Sequence, residues 1–183
     1  MNKYCVDLKL TSDVFTNKDY YYHLRLGRHV NVDNKMFNRE LIEIFDSLGL
    51  RITYSESFFR TTMNSKIYAV HKDAPGSNDA AKINWVFGGE DSLMDWYRPI
   101  RNSTTDTNSI AENGIEYAAF DLKDVELVHQ QRVGCPSIIQ SGIPHGVTLG
   151  KRPRHCIAIF VKYKNSKEYI SFDEALEIFK DFI

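Results

Sequence analysis

Residues 66–99 read KIYAVHKDAPGSNDAAKINWVFGGEDSLMDWYRP, and this stretch decides the fold. Three runs rich in β-branched and aromatic residues are separated by two groups of turn residues. The runs predict strands over Lys66–Asp73, Ala81–Phe87 and Leu93–Pro99. Short strands joined by tight turns are typical of antiparallel sandwiches and barrels.

The same pattern extends in both directions along the chain. Further strands are predicted at Tyr20–Leu26, Ile52–Arg60, Ile115–Leu122, Val125–Val133, Ser137–Ile139 and His155–Lys162. Apolar residues at helical spacing predict a helix over about 34–50, with Gly49 at its end. A second helix is predicted over about 171–183, where Ser171 and Glu174 form a capping box.

Strands flanked by one helix on each side in sequence predict a mainly β fold, a double-stranded β-helix of the jelly-roll or cupin-like type. We predict one domain over residues 1–183, with the barrel core at about 51–163. The polar segment Arg98–Asn113 interrupts the strands and is predicted to be a surface loop. Such a loop at a barrel mouth is either a lid or an insertion without a role.

Composition excludes several classes of function. The chain of 183 residues carries a formal net charge of -1, which gives no sign of a nucleic-acid partner. It has no apolar run near the roughly 18 residues of a membrane span, and the N-terminus lacks the apolar stretch of a signal peptide. The three widely spaced cysteines form neither a disulfide framework nor a zinc pair. We expect a cytoplasmic protein that acts on a small molecule or a peptide.

The first candidate metal ligands are His71 and Asp73, which lie at the end of a predicted strand. Residues i and i+2 of a strand point to the same face, so one metal ion could accept both side chains. The turn at Ala74-Pro75-Gly76 would place this pair at the barrel mouth. A surface histidine beside a surface aspartate would give the same spacing.

A second segment carries His145, between Pro144 and Gly146, and then Arg154 nine residues later. In a barrel, His145 can face the first pair from another strand. Two imidazoles and one carboxylate form the facial triad of non-haem iron(II) oxygenases. Arg154 begins a strongly apolar strand and would face the interior, where an arginine needs an anionic partner such as a bidentate carboxylate.

Together these residues resemble the pattern of the iron(II)- and 2-oxoglutarate-dependent oxygenase superfamily. That pattern is His-x-Asp, a distal histidine, and an arginine about nine residues later, and it covers roughly residues 51–162 of this chain. The resemblance implies that His71, Asp73 and His145 bind Fe(II) and form the catalytic centre. It also implies that Arg154 binds the distal carboxylate of 2-oxoglutarate, and that the reaction is a hydroxylation.

The chain departs from the family beside Arg154. Many members have a serine, threonine or asparagine two to four residues after the arginine, where Cys156 and Ala158 stand. A different donor is therefore expected, and Asn84, a polar residue in an apolar predicted strand, is a candidate cofactor-binding residue. Two alternatives stay open: a cupin-like metal enzyme that does not use 2-oxoglutarate, and a non-catalytic binding or structural module.

Overall fold

The structure of the protein, a computed structural model, describes most of the chain. The described residues are 2–17, 19, 30–31, 34–52, 57–61, 67–74, 76–100, 107–110, 116–134, 136–152 and 154–183. The candidate strand Tyr20–Leu26 lies outside them, as does Cys135.

Short strands make up most of the regular structure in these ranges. The strands are β1 (Cys5–Asp7), β2 (Val30–Asn31), β3 (Leu50–Arg51), β4 (Ser57–Thr61), β5 (Ile67–Asp73), β6 (Ala81–Gly88), β7 (Leu93–Pro99), β8 (Thr107–Ile110), β9 (Glu116–Phe120), β10 (Val125–Gln131), β11 (Ser137–Gln140), β12 (His145–Thr148), β13 (Arg154–Phe160) and β14 (Lys162–Tyr163).

Twelve of these strands form two antiparallel sheets. Sheet I has the order β1-β11-β6-β13-β4-β2, and sheet II has the order β10-β7-β12-β5-β9-β8. The chain passes from one sheet to the other at each step from β5 to β7 and again from β11 to β13. The fold is therefore mainly β, a jelly-roll barrel of the cupin-like type, which confirms the predicted fold class.

The main hydrophobic core lies between the outer face of sheet I and two helices, α1 (Arg39–Ser47) and α2 (Phe172–Ile178). Alternate residues of β6 and β13 supply the sheet side of this core because successive strand residues point to opposite faces. Its fully buried members include Ile83, Trp85, Ile157, Ile159, Leu41, Phe45, Ala175 and Phe179. No helix in the described part of the chain has the length and hydropathy that a bilayer crossing requires.

Both helices begin later than the predicted bounds. The segment Asn34–Met36 forms a 3-10 turn, and α1 begins after Asn38, whose side chain accepts a hydrogen bond from the amide of Glu40. Ser171 caps α2 as predicted, because its hydroxyl accepts a hydrogen bond of 3.2 Å from the amide of Glu174. The capping box is only half formed, since the Glu174 carboxylate accepts a hydrogen bond from the Tyr163 hydroxyl instead.

Ser171→Ala should lower the free energy of unfolding by about 1 kcal/mol, because the cap satisfies an amide that has no partner within the helix. Thermal and urea denaturation measure this change. Ser47→Ala is the matched control at the end of α1, where the serine hydroxyl donates to the Ile44 carbonyl and caps nothing. An equal loss in both variants would contradict the capping role.

Two strands of sheet II were not predicted from the sequence. Residues 107–110 form β8, which pairs with β9 at the edge of sheet II, so the prediction of an uninterrupted loop from Arg98 to Asn113 is wrong there. Residues 101–106 and 111–113 lie outside the described residues. The second difference is β12, which begins at His145 itself and occupies the middle of sheet II between β5 and β7.

Candidate metal centre

The structure brings His71, Asp73 and His145 together on the inner face of sheet II. His71 and His145 are direct partners in the register of β5 and β12, and their ring centroids lie 4.5 Å apart. Asp73 shares the face of His71, as the strand period requires. Side-chain exposure falls from 22% at His71 to 7% at Asp73 and 5% at His145, so His71 lies nearest to solvent.

The separations within this cluster suit one metal ion. His71 Nε2 lies 3.8 Å from Asp73 Oδ1, and His145 Nε2 lies 3.4 Å from Asp73 Oδ2. One ligand atom from each residue lies within 4.8 Å of the others. Ligands about 2.1 Å from a common metal are separated by about 3.0 to 3.4 Å. The donor set is therefore close to the geometry that a bound cation would impose.

The orientation of His145 also suits a metal ligand. Its Nδ1 lies 2.9 Å from the carbonyl oxygen of Ile143. A carbonyl can only accept, so Nδ1 carries the proton of that hydrogen bond. In the neutral ring, Nε2 then presents a lone pair toward the Asp73 carboxylate, which is itself an acceptor. A shared cation or an extra proton would stabilise two acceptors placed 3.4 Å apart.

A buried lysine from the facing sheet completes the surroundings of Asp73. Lys82 Nζ lies 2.7 Å from Asp73 Oδ2, and both side chains are less than a tenth exposed. Burial alone would raise the pKa of Asp73, but Lys82 together with His145 and His71 holds it well below its usual range. Asp73 is therefore ionised at neutral pH, which is the state that binds a metal.

Strand β5 ends at Asp73, and the backbone turns at the next residue. Ala74 has φ +49°, a left-handed conformation that residues other than glycine seldom adopt. The Asp73 amide donates to the carbonyl of Ser141, just before β12. These contacts fix the strand end that carries Asp73 beside the segment that leads to His145.

Lys82 is a site residue that the sequence reasoning missed. It follows Ala81 at the start of β6, and the inward-facing Asn84 two residues later was the available signal. Besides its ion pair, Lys82 Nζ lies 4.2 Å from the centre of the Phe160 ring. Asp73 thus has a cation on the facing sheet in addition to the two imidazoles of its own sheet.

The predicted cofactor-binding residues lie on the inner face of sheet I. Arg154 begins β13 and is only 3% exposed. Its side-chain stem lies against Gly89, where an added Cβ would come within 2.6 Å of Arg154 Cβ. Gly89 also has φ +58°, so both the conformation and the close approach require glycine there.

Cys156 and Ala158, two small residues, follow Arg154 on the same face, and both are buried. Burial raises the pKa of the Cys156 thiol, and Arg154 and Lys82 only partly oppose this effect. A thiol, Cys156, thus stands near Arg154 where the family pattern has a hydroxyl or amide near its arginine. The charges of Asp73, Lys82 and Arg154 all act on this thiol, so Cys156 lies near both Arg154 and the Asp73–Lys82 pair.

Asn84 lies opposite Ala158 in the register of β6 and β13. It is 4% exposed, and its side-chain oxygen has no hydrogen-bond partner among the described residues. Buried polar atoms are nearly always hydrogen-bonded, so an orphan oxygen on the inner face indicates a place for a ligand or a water molecule.

Two other features of sheet II have structural roles. The turn after β12 is held to the turn before β7, because Arg152 pairs with Glu90 and the Lys151 amide donates to Asp91. Trp96 is fully buried and donates from its indole nitrogen to the carbonyl of Gln140. Neither feature contributes a group to the candidate metal centre.

Comparisons with known proteins give only distant similarities. No protein-family model and no curated protein sequence matches the chain. Apo HygX from Streptomyces hygroscopicus is 13% identical, with a TM-score of 0.41 over 98% of this chain and 93% of that one. A dTDP-4-dehydrorhamnose 3,5-epimerase from Bacillus anthracis, solved with TDP and PPi, is 12% identical, with a TM-score of 0.34 over 76% and 72%. Similarity at this level carries no argument about family or activity, and the fold assignment rests on the strand order itself.

Proposed function

We propose that the protein is a non-haem Fe(II)- and 2-oxoglutarate-dependent oxygenase. The observation that carries the metal is the pair of facing acceptors, His145 Nε2 and Asp73 Oδ2, 3.4 Å apart. A divalent cation between them, completed by His71, converts this repulsion into coordination. Two imidazoles and one carboxylate with open positions are typical of iron(II) oxygenases.

The inner face of sheet I supports an acidic cosubstrate. Arg154, Cys156, Ala158 and Phe160 follow one another on the inner face of β13. Phe160 is beside Lys82 at the metal end, and Arg154 is at the opposite end. Between them the inward residues are small, and Asn84 offers an unpaired oxygen. A dicarboxylate such as 2-oxoglutarate suits this space, with its distal carboxylate held by Arg154.

Iron with a bound keto acid would supply oxygen activation and hydroxylation of a C–H bond. The protein holds the metal through His71, Asp73 and His145, with His145 fixed by the Ile143 carbonyl. Arg154 and the Cys156 thiol bind and orient the distal carboxylate. The two sheets exclude water from all but the His71 side, where the side chain is 22% exposed.

Purified protein supplied with Fe(II) should convert 2-oxoglutarate to succinate, slowly even without a second substrate. His145→Ala should abolish both succinate formation and iron binding measured by calorimetry. His129→Ala is the control, because that ring stacks on Tyr4 and lies away from the cluster. Full iron affinity in His145→Ala would contradict the proposed centre, whereas iron binding without keto-acid binding would favour a cupin-like metal enzyme of another kind.

A second candidate function follows from the same pair of atoms. If an extra proton rather than a metal lies between His145 and Asp73, the cluster with Lys82 is an acid–base site for a metal-independent isomerase. Metal analysis of the purified protein separates the two candidates. The cytoplasmic location and the small-molecule or peptide substrate stay predictions from the sequence.

A further inference from the structure

Lys82 does not belong to the oxygenase pattern, yet it lies inside the site. Its side chain is 9% exposed, and its ammonium contacts the Asp73 carboxylate at 2.7 Å and the Phe160 ring at 4.2 Å. A buried ammonium is costly unless an anion neutralises it. In the metal-free protein, Asp73 is that anion.

A bound metal would change the neutralisation of Lys82 by Asp73. The inference therefore rests on the proposed function, which places a metal at this site. The metal would share the carboxylate of Asp73, so Lys82 would lose part of its counter-charge. Among the described residues, the buried charges that face the interior are one anion, Asp73, and two cations, Lys82 and Arg154. A divalent metal and a dicarboxylate cancel each other in charge. The positive charge of Lys82 would therefore be only partly neutralised beside the metal.

Two aromatic rings lie between Lys82 and solvent. The rings of Phe160 and Tyr169 have centroids 4.5 Å apart, and Tyr169 is 37% exposed. Lys162 Nζ lies 4.0 Å from the centre of the Tyr169 ring at the outer end. Lys162 thus lies beside the outer ring, Tyr169, and Lys82 lies beside the inner ring, Phe160, next to Asp73. Asp73 and Glu116 both act electrostatically on Tyr169.

We propose that Lys82 is a specificity-determining residue that binds a carboxylate of the organic substrate beside the metal. The substrate class is a small organic acid. Its carboxylate supplies the counter-charge that Lys82 loses to the metal, and charge-assisted hydrogen bonds of this kind are stronger than neutral ones. Lys162 and the two aromatic rings accompany the acid as it enters, and a cleft lined by positive charge raises the rate at which anions associate.

The test compares benzoate with benzamide, its neutral counterpart, on protein loaded with Co(II) and followed by the visible absorption of the metal and by calorimetry. Wild type should bind benzoate more tightly than benzamide. Lys82→Met should weaken the binding of benzoate by roughly tenfold or more and leave the affinity for benzamide unchanged. Lys72→Met is the matched control, since Lys72 is equally buried on the opposite face of β5 and bonds to Asn78. If Lys82 had only a structural role, its loss would change the affinities for benzoate and benzamide alike.

The outcomes separate this inference from the proposed function. Failure of wild type to bind Co(II) through the three ligands overturns both. Metal binding with equal benzoate affinity in Lys82→Met and Lys72→Met overturns the inference alone, because the acid then binds without Lys82. If Lys82→Met does not fold, paramagnetic relaxation of benzoate protons in wild type decides, and a binding position remote from the metal overturns the inference.

Discussion

Asp73→Asn is expected to abolish metal binding and to lower the free energy of unfolding of the metal-free protein by about 3–5 kcal/mol. Asparagine keeps the shape of the side chain but removes the charge that both a metal and Lys82 require. Lys82 would then be a buried cation without a counter-charge, only 9% exposed. Loss of a residue that only hydrogen-bonds to a metal ligand lowers metal affinity by roughly 10- to 100-fold. Loss of the ligand Asp73 itself should lower it by more.

The double variant Asp73→Asn with Lys82→Met separates the two effects. Removing both charges removes the uncompensated cation, so most of the lost stability should return. Metal binding should not return, because the carboxylate ligand is still absent. Urea denaturation and calorimetry with Co(II) measure the two quantities. Equal stability of the single and double variants would contradict the cost assigned here to an unpaired, buried Lys82.

Arg154→Met should weaken 2-oxoglutarate binding to the metal-loaded protein by roughly 30-fold to several thousand-fold, the range expected when one partner of a buried charge pair is removed. Methionine preserves much of the apolar stem that packs against Gly89, so the loss concerns the guanidinium. Titration with 2-oxoglutarate measures the effect, and metal affinity should remain that of wild type.

Arg152→Met is the control for this experiment, since Arg152 lies two residues earlier and pairs with Glu90 at the surface. Exposed ion pairs contribute little, so keto-acid affinity should stay near the wild-type value. Equal keto-acid affinity in Arg154→Met and wild type would remove the cosubstrate from the proposal and leave a metal enzyme of another kind.

Strands with strong β-propensity or clear alternation were predictable, and polar or very short ones were not. The bounds of β7, Leu93–Pro99, were predicted without error, and β6 differs by one residue. By contrast β8, an edge strand of Thr107-Asn108-Ser109-Ile110, has no alternation of apolar and polar residues, and Ile110 is 71% exposed. Edge strands often resemble loops in sequence because solvent contacts much of their surface.

Site residues that share one strand could be placed from the sequence. Residues that reach the site from other strands were harder to place. The common face of His71 and Asp73 follows from the period of a strand. The position of His145 depends on pairing between strands 74 residues apart, and the predicted barrel together with the resemblance to a known pattern suggested it. Lys82 was missed because a lysine in a strand normally points to solvent. Its burial is decided by Asp73, which belongs to the other sheet.

The division of the site between two sheets has a kinetic consequence. His71, Asp73 and His145 all belong to sheet II, whereas Lys82, Asn84 and Arg154 belong to sheet I. A transient separation of the sheets would leave every metal ligand in place but would detach an acid from half of its contacts. Organic acids could therefore exchange at each catalytic cycle while one metal ion stays bound through many cycles.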